Sequence, residues 1–191
     1  WEHGHAPNAF DQLVNKKSIS LDGTNDHVLV SDQDVFSFTD NSNDDPFSIS
    51  VWVYVGDVSS DNGPFISKVD FDGTGGNPAK AEWLFKQKAG EVRIFLYDNN
   101  SSLSGDAIRA QANAATLTSN TWHHVAVTYD GSGNASGLNI YTDGAVTAAA
   151  KTATNSGGGY TCMRSSVTAV AIGATIDGAA DSNAARVFED R

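Results

Sequence analysis

The sequence predicts an all-β fold, two antiparallel sheets packed face to face as a sandwich. Three observations predict it. About twelve short runs alternate apolar and polar residues, and Gly, Asn, Asp and Ser clusters punctuate them every 8–15 residues or so. No run carries a helical period beyond about two turns. The 191 residues include 18 Gly but only 4 Pro, which suits many tight turns in a single domain.

In chain order, Trp1 to Asn15 has no period and reads as an N-terminal extension or linker; the domain is expected over 16–191. The tail holds an H-x-H, His3-Gly4-His5, which needs a third group to hold a metal and reads as chance. Ile19 and Leu21, then Val28 and Val30, make two short strands around the turn Asp22 to Asp26. Ser31 to Pro46 is polar, a surface loop with a short turn near Val35 to Phe38. Phe47 to Val55 is the clearest strand. Side chains alternate across a strand, so Phe47, Ile49, Val51, Val53 and Val55 share the core face, while Ser48, Ser50, Trp52 and Tyr54 share the other.

Gly56 to Gly63 turns into a strand at Pro64 to Val69, and Asp70 to Ala79 is a Gly- and Asp-rich loop. Glu82 to Lys88 and Glu91 to Tyr97 form a hairpin across Ala89-Gly90, with Arg93, Phe95 and Tyr97 opposite Val92, Ile94 and Leu96. Asp98 to Asp106 is a loop. Ile108 to Leu117 is Ala-rich, yet Asn113 and two Thr weaken a helix, and a strand leading to a turn is expected. Trp122 to Tyr129 and Leu138 to Thr142 are the arms of a second hairpin around Asp130 to Gly137. Asp143-Gly144 signals a type I′ turn that sends the chain back through Ala145 to Ala150 as a meander. Thr152 to Thr161 is a loop, Val167 to Gly173 a strand, Asp177 to Asn183 a loop, and Arg186 to Glu189 opens a further element.

Three motifs carry a resemblance. They are Ser18 to Val28 (SISLDGTNDHV), the F-x-I-x-x-W-V strand at Phe47 to Val53, and Trp122 to Gly131 (WHHVAVTYDG) followed by L-x-I-Y-x-D-G at Leu138 to Gly144. Together, in this order, they resemble laminin G-like, concanavalin A-like jelly-roll domains over about Lys17 to Gly144. The resemblance implies a jelly-roll sandwich and leaves function open, because the fold hosts lectins, hydrolases, adhesion modules and structural subunits. Such domains usually close with a strand bearing an I-D-E-like stretch. This sequence does not show it, so either further residues or a neighbouring subunit is expected to cover a sheet edge.

Composition removes several function classes. The formal charge is −11 and the pI near 4.6, which argues against nucleic acid and against anionic membranes. No run of apolar residues is long enough to span a bilayer. A single cysteine, Cys162, excludes an intrachain disulfide.

Catalysis finds little support. Glycoside hydrolysis needs two carboxylates about 5 to 9.5 Å apart. Hydrolases that share this sandwich carry them as E-x-D-x-x-E on one strand, and no such run occurs; Glu82, Glu91 and Glu189 stand alone, and Asp70-Phe71-Asp72 runs into Gly73. There is no G-x-S-x-G elbow and no P-loop. His123 and His124 point to opposite faces of one strand and read as structural.

Calcium takes oxygens from flexible Asp- and Asn-rich loops. Three loops qualify in part: Asp22, Asn25 and Asp26; Asp70 and Asp72; and Asp177 with Asp181 and Asn183. Ordinary turn chemistry explains each equally well. For ligand binding, Trp52, Tyr54, Arg93, Phe95 and Tyr97 lie on the non-aliphatic faces of two strands able to neighbour each other, with Trp83 on a third. They form either a sugar-binding aromatic platform or buried packing. The loops Asp70 to Ala79, Asn99 to Asp106 and Asn155 to Tyr160 are a further recognition surface.

The expected function is a non-catalytic, calcium-assisted recognition or adhesion module for glycans or a protein partner, part of a larger extracellular, cell-surface or virion protein. The alternative is a structural subunit, such as a capsid decoration, tail appendage or filament protein. A glycoside hydrolase is the second alternative.

Overall fold

The computed structural model describes residues 18–59, 63–71, 80–98, 107–154, 159–177 and 184–187. The His3/His5 tail, Asp72 and most of the three proposed recognition loops lie outside them.

The strands are β1 (Val28–Val30), β2 (Phe47–Val55), β3 (Pro64–Lys68), β4 (Asp70–Phe71), β5 (Trp83–Lys88), β6 (Glu91–Tyr97) and β7 (Ala107–Ala112). They continue with β8 (Thr121–Tyr129), β9 (Asn139–Thr142), β10 (Ala145–Thr147), β11 (Ala149–Thr154), β12 (Val170–Ile172), β13 (Ala174–Asp177) and β14 (Ala184–Val187). A seven-stranded sheet runs β1-β12-β3-β5-β6-β7-β11, and a four-stranded sheet runs β10-β9-β8-β2. A small third sheet runs β14-β13-β4, in which β13 and β4 pair in parallel over Ile176–Asp70 and Asp177–Phe71. The other ladders are antiparallel, as the sandwich requires. Among the described residues the helical segments are single 3-10 turns at Asp34–Phe36 and Ala135–Gly137.

Both predicted hairpins form. Two tight turns, that of the first hairpin and that of the meander after the second, use the left-handed backbone that a two-residue type I′ connection demands: Ala89 (φ 51°) and Gly90 (φ 78°) between β5 and β6, Asp143 (φ 51°) and Gly144 (φ 79°) between β9 and β10. Ala89 is the unusual choice, because its Cβ makes this region cost about 1–2 kcal/mol.

Four expectations change. Ser18–Leu21 joins no strand ladder among the described residues. Asp70, expected in a loop, pairs with β13. The return strand stops at Thr147, and after Ala148 the chain enters the large sheet, where β11 pairs β7 over six residues. Finally, β2 and β6, expected as possible neighbours, lie in different sheets. Alternation says which side of a strand is apolar; it does not say which sheet the strand joins.

The core lies between the two large sheets. Val53, Val55, Val125, Val127 and Ile140 of the small sheet meet Phe85, Val92, Ile94, Leu96 and Ile108 of the large one. Each such side chain is worth about 1.5–3 kcal/mol on burial. Polar groups tie loops to this core. Asp44, only 8% exposed, accepts hydrogen bonds from the Tyr129 and Tyr160 hydroxyls (both 2.7 Å) and from the Met163 N–H (2.5 Å). Lys68 is fully buried; its Nζ donates to Glu82 Oε1 (2.5 Å), Ser37 Oγ (3.1 Å) and the Ser166 carbonyl (2.7 Å). Burial pushes the Glu82 carboxyl up, and Lys68 offsets part of that.

Candidate functional site

The feature that stands apart from this packed interior is the outer face of the four-stranded sheet. β2 and β8 pair without a break over nine positions, which sets Trp52 opposite His124, Tyr54 opposite Trp122, and Ser50 opposite Ala126. All six point away from the core, because Val51 and Val53 on β2 and Val125 and Val127 on β8 point into it. The ring centroids of Trp52 and His124 are 5.3 Å apart at 48°, and those of Tyr54 and Trp122 are 5.6 Å apart at 55°. These tilted cross-strand pairs stiffen the face by about 0.2–1 kcal/mol each. Trp52 is 64% exposed and Trp122 49%. Tyr141 on β9, opposite Ala126, and exposed Val146 on β10, opposite Tyr141, extend the same face.

A latch beneath this face holds it in register. Asp143, in the β9–β10 turn, accepts the His124 N–H on Oδ1 at 2.9 Å. Its Oδ2 lies 2.8 Å from His123 Nδ1. The other ring nitrogen, Nε2, accepts the Thr118 N–H at 3.1 Å, so the imidazole proton sits on Nδ1 and is donated to Asp143. The His123 hydrogen bond first, then that of the His124 backbone, holds the Asp143 carboxyl below the usual range. His123 is thus structural, as its inward position implied. His124, also read as structural, instead lies on the exposed face.

The face is uncharged. Its outward positions on β2, β8 and β9 are Ser48, Ser50, Trp52 and Tyr54; Trp122, His124, Ala126 and Thr128; Asn139 and Tyr141. No Lys, Arg, Asp or Glu is among them, in a chain with 35 such residues (12 basic plus 23 acidic). Flat aromatic rings beside small hydroxyl and methyl groups can stack against an apolar ligand surface while nearby hydroxyls meet polar atoms. Beside β2 the face drops into an open groove of 660 Å³, with Ser18–Leu21 on its far side and Phe65 and Ile172 among its lining residues.

The other sequence-derived binding residues do not join this face. Arg93, Phe95 and Tyr97 are on β6, in the large sheet. Phe95 and Tyr97 stack on each other (6.2 Å, 14°) and pack against a buried cluster of Val69, Phe71, Ala81 and Leu84. Arg93 donates to Glu91 Oε2 at 2.6 Å. Trp83 is core, 2% exposed, with its Nε1–H donated to the Phe36 carbonyl at 3.0 Å. Of the six candidate residues, the outer face of the small sheet therefore gathers Trp52 and Tyr54, joined by Trp122 and His124, while Trp83, Phe95 and Tyr97 follow the packing alternative. Sequence reasoning missed the latter two as ligand-facing residues, although both share a parity that puts them on the side of β8 away from Val125 and Val127.

Of the expected metal ligands, the Asp22, Asp26 and Asp70 carboxylates make hydrogen bonds or an ion pair within the chain. Asp22 Oδ1 accepts the N–H groups of Thr24 (2.8 Å) and Asn25 (3.2 Å), and Asp26 Oδ2 accepts the Asp22 N–H at 3.3 Å. This is the self-bonded turn that Asp and Asn favour. Those backbone bonds, Thr24 first, hold the Asp22 carboxyl low. Asp70 pairs with Lys80 at 3.3 Å. Among the described residues, no three His, Cys, Asp or Glu side chains converge as a metal site. Asp72 and the Asp177 side chain lie outside the described set. Burial pushes the Cys162 thiol up, away from nucleophilic use.

Comparison with known proteins agrees with the fold. Residues 22–185 match the family model described as the concanavalin A-like lectin/glucanases superfamily. No curated protein matches the sequence. Among solved structures, the receptor binding domain of botulinum neurotoxin C/D mosaic serotype is similar at 14% identity and a TM-score of 0.50, over 86% of this chain and 35% of that one. The botulinum neurotoxin serotype D binding domain is similar at 14% identity and a TM-score of 0.49, also over 86% and 35%. This chain thus spans about a third of those structures, and at such identity the likeness concerns the fold alone.

Proposed function

The chain belongs to the concanavalin A-like lectin/glucanase superfamily, and on that premise we propose that it is a non-catalytic recognition module whose ligand, a glycan or a partner protein surface, sits on the aromatic face of the small sheet. The observation that carries this reading is the exposure of Trp52 and Trp122 on an uncharged face that no described residue covers, while Trp83, Phe95 and Tyr97 are packed away. Large aromatics left in solvent mark binding surfaces more often than chance placement. The absence of basic groups there favours a neutral ligand over a sulfated or acidic one.

Such a module works as part of a larger extracellular, cell-surface or virion protein, presenting its ligand face outward. The receptor-binding function named for the neurotoxin domains is compatible with this role but lends it only the shared fold. Calcium remains a proposal for the loops of Asp22, Asn25 and Asp26, of Asp70 and Asp72, and of Asp177, and thermal melts with calcium and with chelator test it.

Immobilised-glycan binding by the wild-type chain, measured beside Trp52→Ala and Trp122→Ala, tests the main reading. Each substitution is expected to weaken binding at least about tenfold with little change in melting temperature. Unaltered binding in both variants would remove the face from recognition. A second reading, a structural subunit, is favoured by exposed Val146 extending the same apolar face. It predicts association between copies without sugar, burying more than about 1,000 Å². Light scattering over a concentration series separates the two.

A further inference from the structure

We propose that Lys68, Asp32 and Glu82 form a self-modification site: the Lys68 amine condenses with the Asp32 carboxyl to an amide that staples the end of β1 to β3, and Glu82 moves the protons. This goes beyond the recognition face and does not depend on what that face binds.

The three side chains come from separate segments. Asp32 follows β1, Lys68 ends β3 and Glu82 precedes β5. In the large sheet β12 lies between β1 and β3, so among the described residues no backbone ladder joins those two strands directly. Lys68 Nζ is nevertheless 2.9 Å from Asp32 Oδ1 and 2.5 Å from Glu82 Oε1. The Lys68 and Glu82 side chains are fully buried, and that of Asp32 is 27% exposed. Two features set this group apart from an ion pair placed for stability. One cation faces two carboxylates where desolvation of ions is costly. Hydrogen bonding is also incomplete where it should be strongest. Asp32 Oδ1 is buried and accepts no hydrogen bond although Nζ is 2.9 Å away, so the amine approaches the carboxyl off hydrogen-bonding geometry. Glu82 Oε2 is likewise buried without a partner, while Oε1 takes Lys68 Nζ, the Ser166 N–H and the Ser37 hydroxyl.

The chemistry balances without a further reactant. A carboxyl C–O bond of about 1.2 Å puts Asp32 Cγ within about 4.1 Å of Nζ, near the roughly 3–3.5 Å of a reactive approach. Glu82 takes one proton from the Lys68 ammonium and passes it to the Asp32 carboxylate, leaving a neutral amine beside a neutral acid. Burial pushes the Glu82 carboxyl up, which favours its proton-holding form. The amine lone pair forms the Nζ–Cγ bond. Glu82 then carries a second proton from Nζ to the departing oxygen, the Cγ–O bond breaks, and one water leaves. Of the three ammonium protons, two depart in that water and one stays on the amide. The condensation removes a positive and a negative charge from a place where both are poorly solvated, and this is its driving force. The closed loop contains β2, the strand that carries Trp52 and Tyr54. In a chain with one cysteine, the amide supplies a covalent tie that a disulfide within the chain cannot.

Denaturing mass spectrometry of the purified 191-residue chain tests this. The expected mass is one water, about 18 Da, below that of the sequence. Asp-Gly pairs such as Asp22-Gly23 also lose water, by closing on their own backbone, so digestion must locate the bond. Chymotrypsin, which cuts after Phe36 and Phe65 among others, is expected to leave one branched peptide holding both Asp32 and Lys68. Asp32→Ala, at a partly exposed position, is expected to show the full mass of its own sequence in a folded chain and a lower melting temperature. Glu82→Gln keeps the shape but cannot carry the proton, and the linked fraction should fall at least about tenfold. Three results overturn the proposal. A folded wild-type chain at full mass leaves the group a plain ion cluster. A water loss that persists in Asp32→Ala belongs to an Asp-Gly pair. An undiminished linked fraction in folded Glu82→Gln removes Glu82 from the step. If Glu82→Gln does not fold, the wild-type and Asp32→Ala masses decide alone.

Discussion

The outer faces of the two large sheets start from the same kind of sequence and end differently. Ser48, Ser50, Trp52 and Tyr54 alternate with aliphatics on β2, as Arg93, Phe95 and Tyr97 do on β6. On β6 the aromatics pack against Val69, Phe71, Ala81 and Leu84, the last directly opposite Phe95 on β5, and Arg93 pairs with Glu91. On β2 nothing described lies above the rings, and Trp52 stays 64% exposed. The difference comes from neighbours. The large sheet's flank receives the β4/β13 contact, where Asp70 and Phe71 pair with Ile176 and Asp177. The small sheet has β8 beside β2 and, among the described residues, no strand beyond. An aromatic alternation therefore announces a site only when the chain brings nothing to cover it.

Substitutions that trade stability against binding give the sharpest break of this comparison. Leu84→Ala, packed against Phe95 and Tyr97, should cost about 2–5 kcal/mol in urea unfolding, whereas Trp52→Ala should cost less than about 1 kcal/mol. Equal costs would mean that both faces are packed.

The inner face of β8 provides a second contrast with its outer face. Tyr129 and Tyr160 share Asp44, and burial first, then that carboxylate, raises both phenols above their ordinary range. Unfolded tyrosines ionise near pH 10, so unfolding releases protons above that value. Stability should be fully present below about pH 10 and fall as pH rises further. Tyr129→Phe and Tyr160→Phe should each cost about 1–3 kcal/mol at neutral pH by leaving Asp44 with fewer donors, and together they should flatten the alkaline fall in melting temperature. A wild-type profile level from pH 8 to 11 would contradict the clamp.

The latch under the exposed face is weaker. Asp143 is half exposed, so water screens it, and Asp143→Ala should cost no more than about 1 kcal/mol. Its carboxyl is depressed in the folded state, so its contribution is present above about pH 3.9 and is lost as pH falls through the lower folded value. The readout that matters is ligand affinity, which should fall more than stability as His124 loses its anchor. The smallest effect belongs to the covered sheet's hairpin. Ala89→Gly should stabilise by about 0.5–1 kcal/mol, seen as a raised urea midpoint, because glycine occupies the left-handed position without strain.

Much of the fold was legible in the residues. The arms of both hairpins, the strand at Phe47 to Val55 and its inward and outward faces follow from period-two alternation and Gly- or Asn-rich turns. Those are local properties of the chain. The candidate site was legible only in half. Trp52 and Tyr54 could be assigned to an outward face, but their true partners, Trp122 and His124, lie 68 and 72 residues away in sequence along a ladder whose register sequence alone does not show. Trp83 misled because β5 is buried on both sides, a state that a mixed apolar-polar run such as Trp83–Lys88 does not announce. Asp70 misled because a two-residue parallel contact leaves no pattern to read.

Alternation, turn chemistry and charge by themselves determined an all-β sandwich of acidic character, without a disulfide and without a paired-carboxylate strand. They determined this because backbone geometry turns neighbouring residues into faces and turns with no help from distant chain. The tertiary structure alone decided which sheet each strand entered and which aromatics were packed away. Those outcomes depend on pairings between segments separated by tens of residues, where many registers satisfy the same local pattern and the lowest free energy of the whole core selects one.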